Sequence, residues 1–323
     1  MPILYTIYLA PLQGMTDRIY RRCFPLYFQG VDRAVAPFLS PLKKVKSEAG
    51  YLRDLLPVSD PGLPTIPQIL TASPDAFTSL ANRLYELGFD TVNWNLGCPF
   101  RMVVKKGRGA GMLCYPDRID AFLDKALPDL QPKLSIKLRL GFRDADDIFS
   151  LLPVFNRYPL AELIIHPRTG AQMYMGEVDL DRFGECLAQS AHKVVYNGDI
   201  DSAEKMAALA ARFGSVAGWM IGRGLLGNPF LAEDIRGGAK KTRAEKLSLM
   251  QAFHDHVFEE YARILCGPAH LQNKMKEFWT YSAAFFEQSE KARKRINKTH
   301  TPDDYREAVR RLFDEAADSG TPP

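Results

Sequence analysis

The chain has 323 residues, 46% of them hydrophobic and 25% charged, with a formal net charge of +4. These values fit a globular protein with one large α/β domain and an appendage, or with two domains. No run of about 18 apolar residues occurs, which speaks against a membrane span. The five cysteines lack C-x-x-C spacing, which speaks against a disulfide framework or a zinc site and for a reducing cytoplasm. The mild positive charge permits nucleic-acid binding without demanding it.

The apolar start, Met1 to Leu12, has no basic leader region and no small-residue cleavage site, so it reads as a first strand and not as a signal peptide. Strands are expected over Ile3–Ala10, Arg33–Ala36, Thr65–Leu70, Asp90–Asn95, Leu134–Arg139, Ala161–His166, Lys193–Asn197 and Ala217–Gly222. Between them lie helix-period segments at Asp17–Phe28, Pro74–Leu87, Pro116–Leu127, Ala145–Asn156, Leu180–Ser190 and Ser202–Phe213. Ser73 is the expected N-cap of the second helix and Gly88 its stop. A Lys- and Pro-rich irregular stretch follows the second strand. Eight strands alternating with helices point to a (β/α)8 TIM barrel. A doubly wound sheet would normally carry a glycine-rich phosphate turn after its first strand, and Pro11-Leu12-Gln13-Gly14 is not one.

After Gly237-Gly238 strand signals stop. Lys241 to Ala317 shows only helical periodicity, punctuated by Gly267-Pro268 and Thr301-Pro302. The expected organisation is therefore a barrel over residues 1–238 and a helical bundle of three or four helices over 239–323, with the last six residues frayed.

Barrel enzymes place their chemistry at the carboxyl ends of the strands. Those ends carry Pro11-Leu12-Gln13, Gln68, Asn95 with Cys98, Lys137 with Arg139, His166-Pro167-Arg168-Thr169, Asn197-Gly198-Asp199 and Gly222-Arg223-Gly224. Each has an ordinary reading alone: Cys98 as a small core residue, Lys137 as a solvated strand residue, His166 as a satisfied core histidine, Asn197-Gly198-Asp199 as a turn. Their coincidence at one end of the strands favours a site. Gly198, Asp199, Gly222 and Arg223 suit a phosphate, and Gln68 and Lys137 suit the edge of a planar heterocycle. No acidic cluster or H-x-x-x-H pattern suits a metal. Cys98 lies between Gly97 and Pro99, ahead of a loop with Gly107, Gly109, Ala110 and Gly111 and with Arg101, Lys105, Lys106 and Arg108. That composition suggests a mobile basic loop carrying a thiol.

Taken together, Asn95-Leu96-Gly97-Cys98-Pro99, Gly109-Ala110-Gly111-Met112-Leu113, Lys137-Leu138-Arg139-Leu140-Gly141, His166-Pro167-Arg168-Thr169 with Tyr174 and Gly176, Asn197-Gly198-Asp199-Ile200, and Ile221-Gly222-Arg223-Gly224 through Asn228-Pro229-Phe230 resemble the tRNA-dihydrouridine synthases. Ala10 to Asp17 resembles the family's opening motif, A-P-M-x-G-x-T-D. The resemblance spans the barrel in order. It implies an FMN enzyme that uses NAD(P)H to reduce the C5–C6 bond of uridines in tRNA. By motif position, Pro11, Leu12, Gln13, Gln68, Lys137, His166, Asn197, Gly198, Asp199, Gly222 and Arg223 would hold FMN. Asn95, Lys137, Arg139 and His166 would surround the uracil, and Cys98 would donate the proton. It implies a cytoplasmic enzyme without an obligate protein partner, expected to be a monomer.

Four positions depart from the family pattern: Asn93 where Asp is frequent, Pro167 where Gly is frequent, and Val178 and Leu180 where Ala and Trp are common. The length and compact tail resemble the bacterial enzymes, and the C type among them. RNA contacts are expected from Lys291, Arg293, Lys294 and Arg295 in the tail, beside Phe278, Trp279, Tyr281, Phe285 and Phe286, whose ordinary role would be bundle core. Lys43, Lys44, Lys46, Arg101, Lys105 and Lys106 would extend that track. The alternatives are a dihydroorotate dehydrogenase-like barrel acting on a free pyrimidine, which leaves the basic tail unexplained, and an RNA-binding protein with a degenerate site, which the presence of Cys98 and the cofactor motifs opposes.

Overall fold

The structure, a computed structural model, describes residues 5–42, 47–56 and 62–318. Nine short strands form one parallel sheet: β1 (Thr6–Leu9), β2 (Arg33–Val35), β3 (Thr65–Ile66), β4 (Gln68–Ile69), β5 (Thr91–Leu96), β6 (Lys133–Arg139), β7 (Glu162–His166), β8 (Val194–Asn197) and β9 (Gly218–Ile221). Their order is β3-β2-β1-β9-β8-β7-β6-β5-β4. β3 and β4 are the two halves of the single strand expected over Thr65–Leu70. Pro67, which has no N–H to give the ladder, parts them. β3 pairs with β2 and β4 with β5, and the Pro67 carbonyl accepts the Asn93 N–H at 2.8 Å. The sheet's two ends therefore meet at one proline, and an eight-strand barrel closes there.

The alternation of side chains along the strands sorts the core. Tyr8, Ala10, Val35, Ile66, Ile164, Val195 and Met220 form a small cluster inside the barrel. Their strand neighbours Ile7, Leu9, Ala34, Leu163, Ile165, Val194, Trp219 and Ile221 point outward into a larger core shared with the helices. Several helices begin at a side-chain N-cap. The side chains of Asp17, Ser73, Asp179 and Ser202 each accept a backbone N–H of the first turn, and Gly88 ends its helix at φ +97°.

Beyond β9, the secondary structure of the described residues is helical throughout, with turns between the helices. Four α-helices longer than eight residues follow: Arg243–Ile264, Pro268–Ser282, Ser289–Asn297 and Pro302–Asp318. Asp318, expected to fray, is still helical; residues 319–323 lie outside the described residues. Thr242 and Glu245 form a reciprocal capping box at the first of these helices. The tail shares the barrel's outer core. Phe253 packs its ring against Tyr20, Phe24, Tyr27 and Phe28 at centroid separations of 5.4, 6.2, 5.8 and 5.0 Å. A buried phenylalanine contributes about 1.5–3 kcal/mol. The join is also polar. Asp17 accepts Tyr261 Oη at 2.7 and 2.8 Å and pairs with Lys274 Nζ at 2.8 Å. Lys274 also donates to the Gly14 carbonyl at 2.6 Å. The tail thus grips the loop that follows β1. No helix among the described residues is long and apolar enough to cross a membrane.

Candidate active site

Strand register stacks the polar residues in rows. Asn93 on β5 stands opposite Ser135 on β6, which stands opposite Glu162 on β7, and Gln68 on β4 stands opposite Asn93. One pleat nearer the carboxyl ends, Asn95 pairs with Lys137, and above them Arg139 pairs with His166. The upper rows open into a cleft of about 770 Å³ at the carboxyl ends of the strands. Every residue assigned to the cofactor from sequence, namely Pro11, Leu12, Gln13, Gln68, Lys137, His166, Asn197, Gly198, Asp199, Gly222 and Arg223, lines this one cleft. So do Cys98, Asn95 and Arg139.

The Asn95 carboxamide shapes the thiol turn. Its Oδ1 accepts the N–H groups of Gly97 and Cys98 at 3.1 and 2.9 Å, and its Nδ2 donates to Gln68 Oε1 at 2.7 Å. The Cys98 side chain is 8% exposed. Burial pushes its pKa up, offset in part by the Phe100 amide and by Arg139 and Lys137. A raised pKa keeps sulfur as the thiol, the form able to give a proton.

The glycine-rich stretch after Cys98 is ordered into regular turns. It folds into a short helix, Arg101–Val104, and a 3-10 turn, Gly109–Met112, and the Ala110 N–H donates to the Cys98 carbonyl at 3.0 Å. Gly109 sits at φ +56°, and a Cβ there would lie 2.6 Å from that same carbonyl. The glycine is needed for close approach and for its left-handed backbone. It packs directly against the backbone of the thiol turn.

The opposite wall is cationic. Lys137 is half-buried and, among the described residues, has no hydrogen-bond or ion-pair partner; burial and the nearby Arg139 pull its pKa down to about 7. Arg139, 2% exposed, donates to the carbonyls of Gly97 and Thr169 at 3.0 and 2.8 Å and lies over the Tyr174 ring. Burial, with Arg168 nearby, lowers it to about 10. His166 is held well below its usual range by burial and by Arg139, Lys137, Arg168 and Arg223. Its Nε2 lies 3.1 Å from Arg168 Nη1. An arginine only donates, so Nε2 accepts and the neutral ring carries its proton on Nδ1.

At the β8 and β9 ends, Asp199 has φ +25° and its carboxylate is shared by Arg168 and by Arg223, the latter at 2.6 Å. These guanidiniums hold its pKa below the usual carboxylate range, against burial. The Asp199 side chain therefore orients two arginines, and what it leaves for an anion is its backbone. Arg223 also lies over Tyr174. Gly224 is obligatory, since a Cβ there would fall 2.1 Å from the Ile200 carbonyl.

Several contributors were not assigned a role from sequence. Arg168 was quoted only as part of a motif, yet it is 2% exposed and joins His166, Asp199 and the Gly176 carbonyl. Asn93, Ser135 and Glu162 form a buried polar belt below the site; the pattern of polar residues at every second strand position was the available signal. Tyr281 and Ala284 reach the cleft from the tail. Phe278, Trp279, Phe285 and Phe286 are bundle core, their ordinary reading.

The expected RNA residues are scattered. Arg101, Lys105 and Lys106 are exposed beside the thiol turn, while Lys43, Lys44 and Lys46 lie outside the described residues. Lys291 and Lys294 are exposed and one helical turn apart. Arg293 pairs with Glu290 at 3.2 Å and Arg295 with Glu315 at 2.9 Å, so the basic run is not uniformly free.

With the cleft and its order of motifs established, the comparison with known proteins decides the family. The dihydrouridine synthase (Dus) family model matches residues 8–317, barrel and tail together. The chain belongs to the dihydrouridine synthase family. It is 31% identical over 226 residues to tRNA-dihydrouridine synthase B of Pasteurella multocida (strain Pm70), covering 70% of this chain and 67% of that one. It is 27% identical over 315 residues to tRNA-dihydrouridine synthase B of Klebsiella pneumoniae, covering 96% of this chain and 91% of that one. Both carry the B designation, where the length of the tail had pointed to the C type. Among solved structures, a variant of NCR from Zymomonas mobilis matches with a TM-score of 0.50 at 14% identity, covering 74% of this chain and 90% of that one. At that identity the likeness is one of fold.

Proposed function

We propose that this dihydrouridine synthase reduces the C5–C6 bond of uridines in tRNA at the cleft bounded by Cys98, Lys137, Arg139 and His166. The observation that carries the reading is the meeting of a buried thiol, the basic side chains of Lys137 and Arg139 and a phosphate-ready glycine corner in one cavity. We assign residues 1–238 to catalysis and the helices after residue 238 to tRNA.

The cleft fits FMN. Lys137 Nζ has no partner among the described residues, and Arg168 Nε, also at the cleft, is buried without one. Gln68, Lys137 and His166 would face the ring edge, and the backbone at Gly198, Asp199 and Gly222, with Arg223, would hold the phosphate. FMN reduced by NAD(P)H would supply the hydride to C6 of the uracil. The remaining tasks belong to the chain. Lys137 and Arg139 stabilise the negative charge that develops on the base's oxygens. His166, neutral, offers its Nδ1–H as a donor. Cys98 delivers the proton to C5. The uridine leaves its stack to reach this depth, and the exposed Arg101, Lys105 and Lys106 at the thiol side hold its phosphates.

Cys98→Ala tests the assignment. The variant is expected to bind FMN and tRNA as the parent does and to form dihydrouridine at least about 100-fold more slowly, the usual loss of a general acid. Dihydrouridine in tRNA is quantified by mass spectrometry, and near-normal turnover would remove Cys98 from the role.

A further inference from the structure

Below the cleft, a line of buried side chains runs from the thiol turn to the far end of β7. Asn95 Oδ1 accepts the Cys98 and Gly97 N–H groups. Asn95 Nδ2 donates to Gln68 Oε1 at 2.7 Å, and Gln68 Nε2 donates to Asn93 Oδ1 at 2.8 Å. Asn93 Nδ2 donates to Ser135 Oγ at 2.8 Å, and Ser135 donates to Glu162 Oε1 at 2.9 Å. Every donor in the chain points toward Glu162. A carboxamide can sit either way round, and this chain has three, so its direction is set by its ends. The N–H groups of Gly97 and Cys98 only donate, and a carboxylate at the other end only accepts: Ser135 donates to Glu162, so Ser135 accepts from Asn93, and both ends demand the same orientation of every amide. The outcome at the far end is that oxygen, and not nitrogen, of Asn95 faces the Cys98 N–H.

All five side chains are at most 8% exposed, so water cannot substitute for a lost partner. Glu162 has no basic side chain paired with it among the described residues; its second oxygen accepts Tyr8 Oη at 2.8 Å.

We propose that Glu162 is a positioning residue for the active site: through Ser135, Asn93 and Gln68 its carboxylate sets the orientation of the Asn95 amide and thereby the Cys98 turn. The proposal rests on the reading of Cys98 as the proton donor, but the turn can be observed without it. The readout is the alkylation rate of Cys98 by iodoacetamide in the full-length holoenzyme, resolved by peptide mass spectrometry from the exposed Cys114 and Cys266. Ser135→Ala, a small buried change, cuts the chain next to Glu162; Glu162→Ala removes its end. Each is expected to raise the Cys98 alkylation rate about fivefold or more and to lower kcat for dihydrouridine formation about tenfold or more with KM for tRNA unchanged, as small misplacement of a reacting group does. The double variant is expected to lose no more than the worse single one, because both break the same chain. Glu162→Gln, which can still present an oxygen to Ser135, is expected to restore most of the rate. Tyr8→Phe removes the other contact to Glu162 and leaves the chain whole, so Cys98 reactivity and kcat are expected within about twofold of the parent, the spread of independent sites. Unchanged Cys98 alkylation in Ser135→Ala, or an equal change in Tyr8→Phe, would overturn the proposal. If Cys98→Ala retained turnover while Ser135→Ala still altered alkylation, the donor assignment would fail and the positioning chain would stand.

Discussion

Replacing Lys137 by methionine isolates the cost of holding a cation on the barrel's inner wall. In the folded chain Lys137 titrates at about 7, against an ordinary 10.5, with burial as the main cause and Arg139 second. At about 1.4 kcal/mol per pH unit, that drop corresponds to at most about 5 kcal/mol. Residual hydration of a half-buried ammonium reduces the expected figure to about 2–3 kcal/mol. Between the two pKa values the unfolded chain binds the proton and the folded chain does not, so parent stability climbs as pH rises through that window. Below about 7 the penalty is fully present. Lys137→Met removes it, so the ligand-free variant is expected to exceed the parent in stability by about 2–3 kcal/mol at pH 6 and by only about 1.4 kcal/mol at pH 9.5, one unit below the unfolded value. Urea unfolding of both proteins at the two pH values measures this. A stability difference that stays the same at both would refute the argument, because methionine packing alone has no reason to depend on pH.

Four further outcomes follow from the geometry. Gly109→Ala places a Cβ against the Cys98 carbonyl at a left-handed backbone position; it is expected to cost about 1–3 kcal/mol in urea unfolding and to slow turnover. Asp199→Asn releases Arg168 and Arg223. Because the Asp199 pKa is lowered on folding, the stability it gives is present near neutrality and lost as pH falls through its folded value, so the variant's deficit of about 1–3 kcal/mol at pH 7 should shrink below about pH 4. Lys291→Gln with Lys294→Gln should weaken tRNA binding and flatten the slope of log affinity against log salt by about 1.4–1.8 if each cation meets one phosphate. Arg295→Gln is expected to act first on stability, through Glu315.

The barrel was legible because its signals are periodic. Eight β-rich runs alternate with capped helices, and Ser73 and Gly88 act as their residue types suggest. Strand ends were legible as a site for the same reason, since a strand's last inward residue can be counted. What escaped the sequence depends on register between distant strands. Nothing local tells that Ser135 stands between Asn93 and Glu162, or that Asp199 spends its carboxylate on two arginines. The glycines around Gly109 show the ambiguity most clearly: the same composition serves an open irregular loop and a turn packed too closely for side chains. The approach of the Cys98 carbonyl shows the second.

The grip of Lys274 and Tyr261 on Asp17 and Gly14 has a consequence for exchanging parts between relatives. The loop after β1 supplies Leu12 and Gln13 to the cleft, so its shape is partly written in the tail. A chimera that takes its last four helices from another member would exchange the helical surface together with the anchor of one cleft wall. Tail and loop have to be transplanted as a matched pair, Asp17 with its tyrosine and lysine, for the cleft to keep its shape.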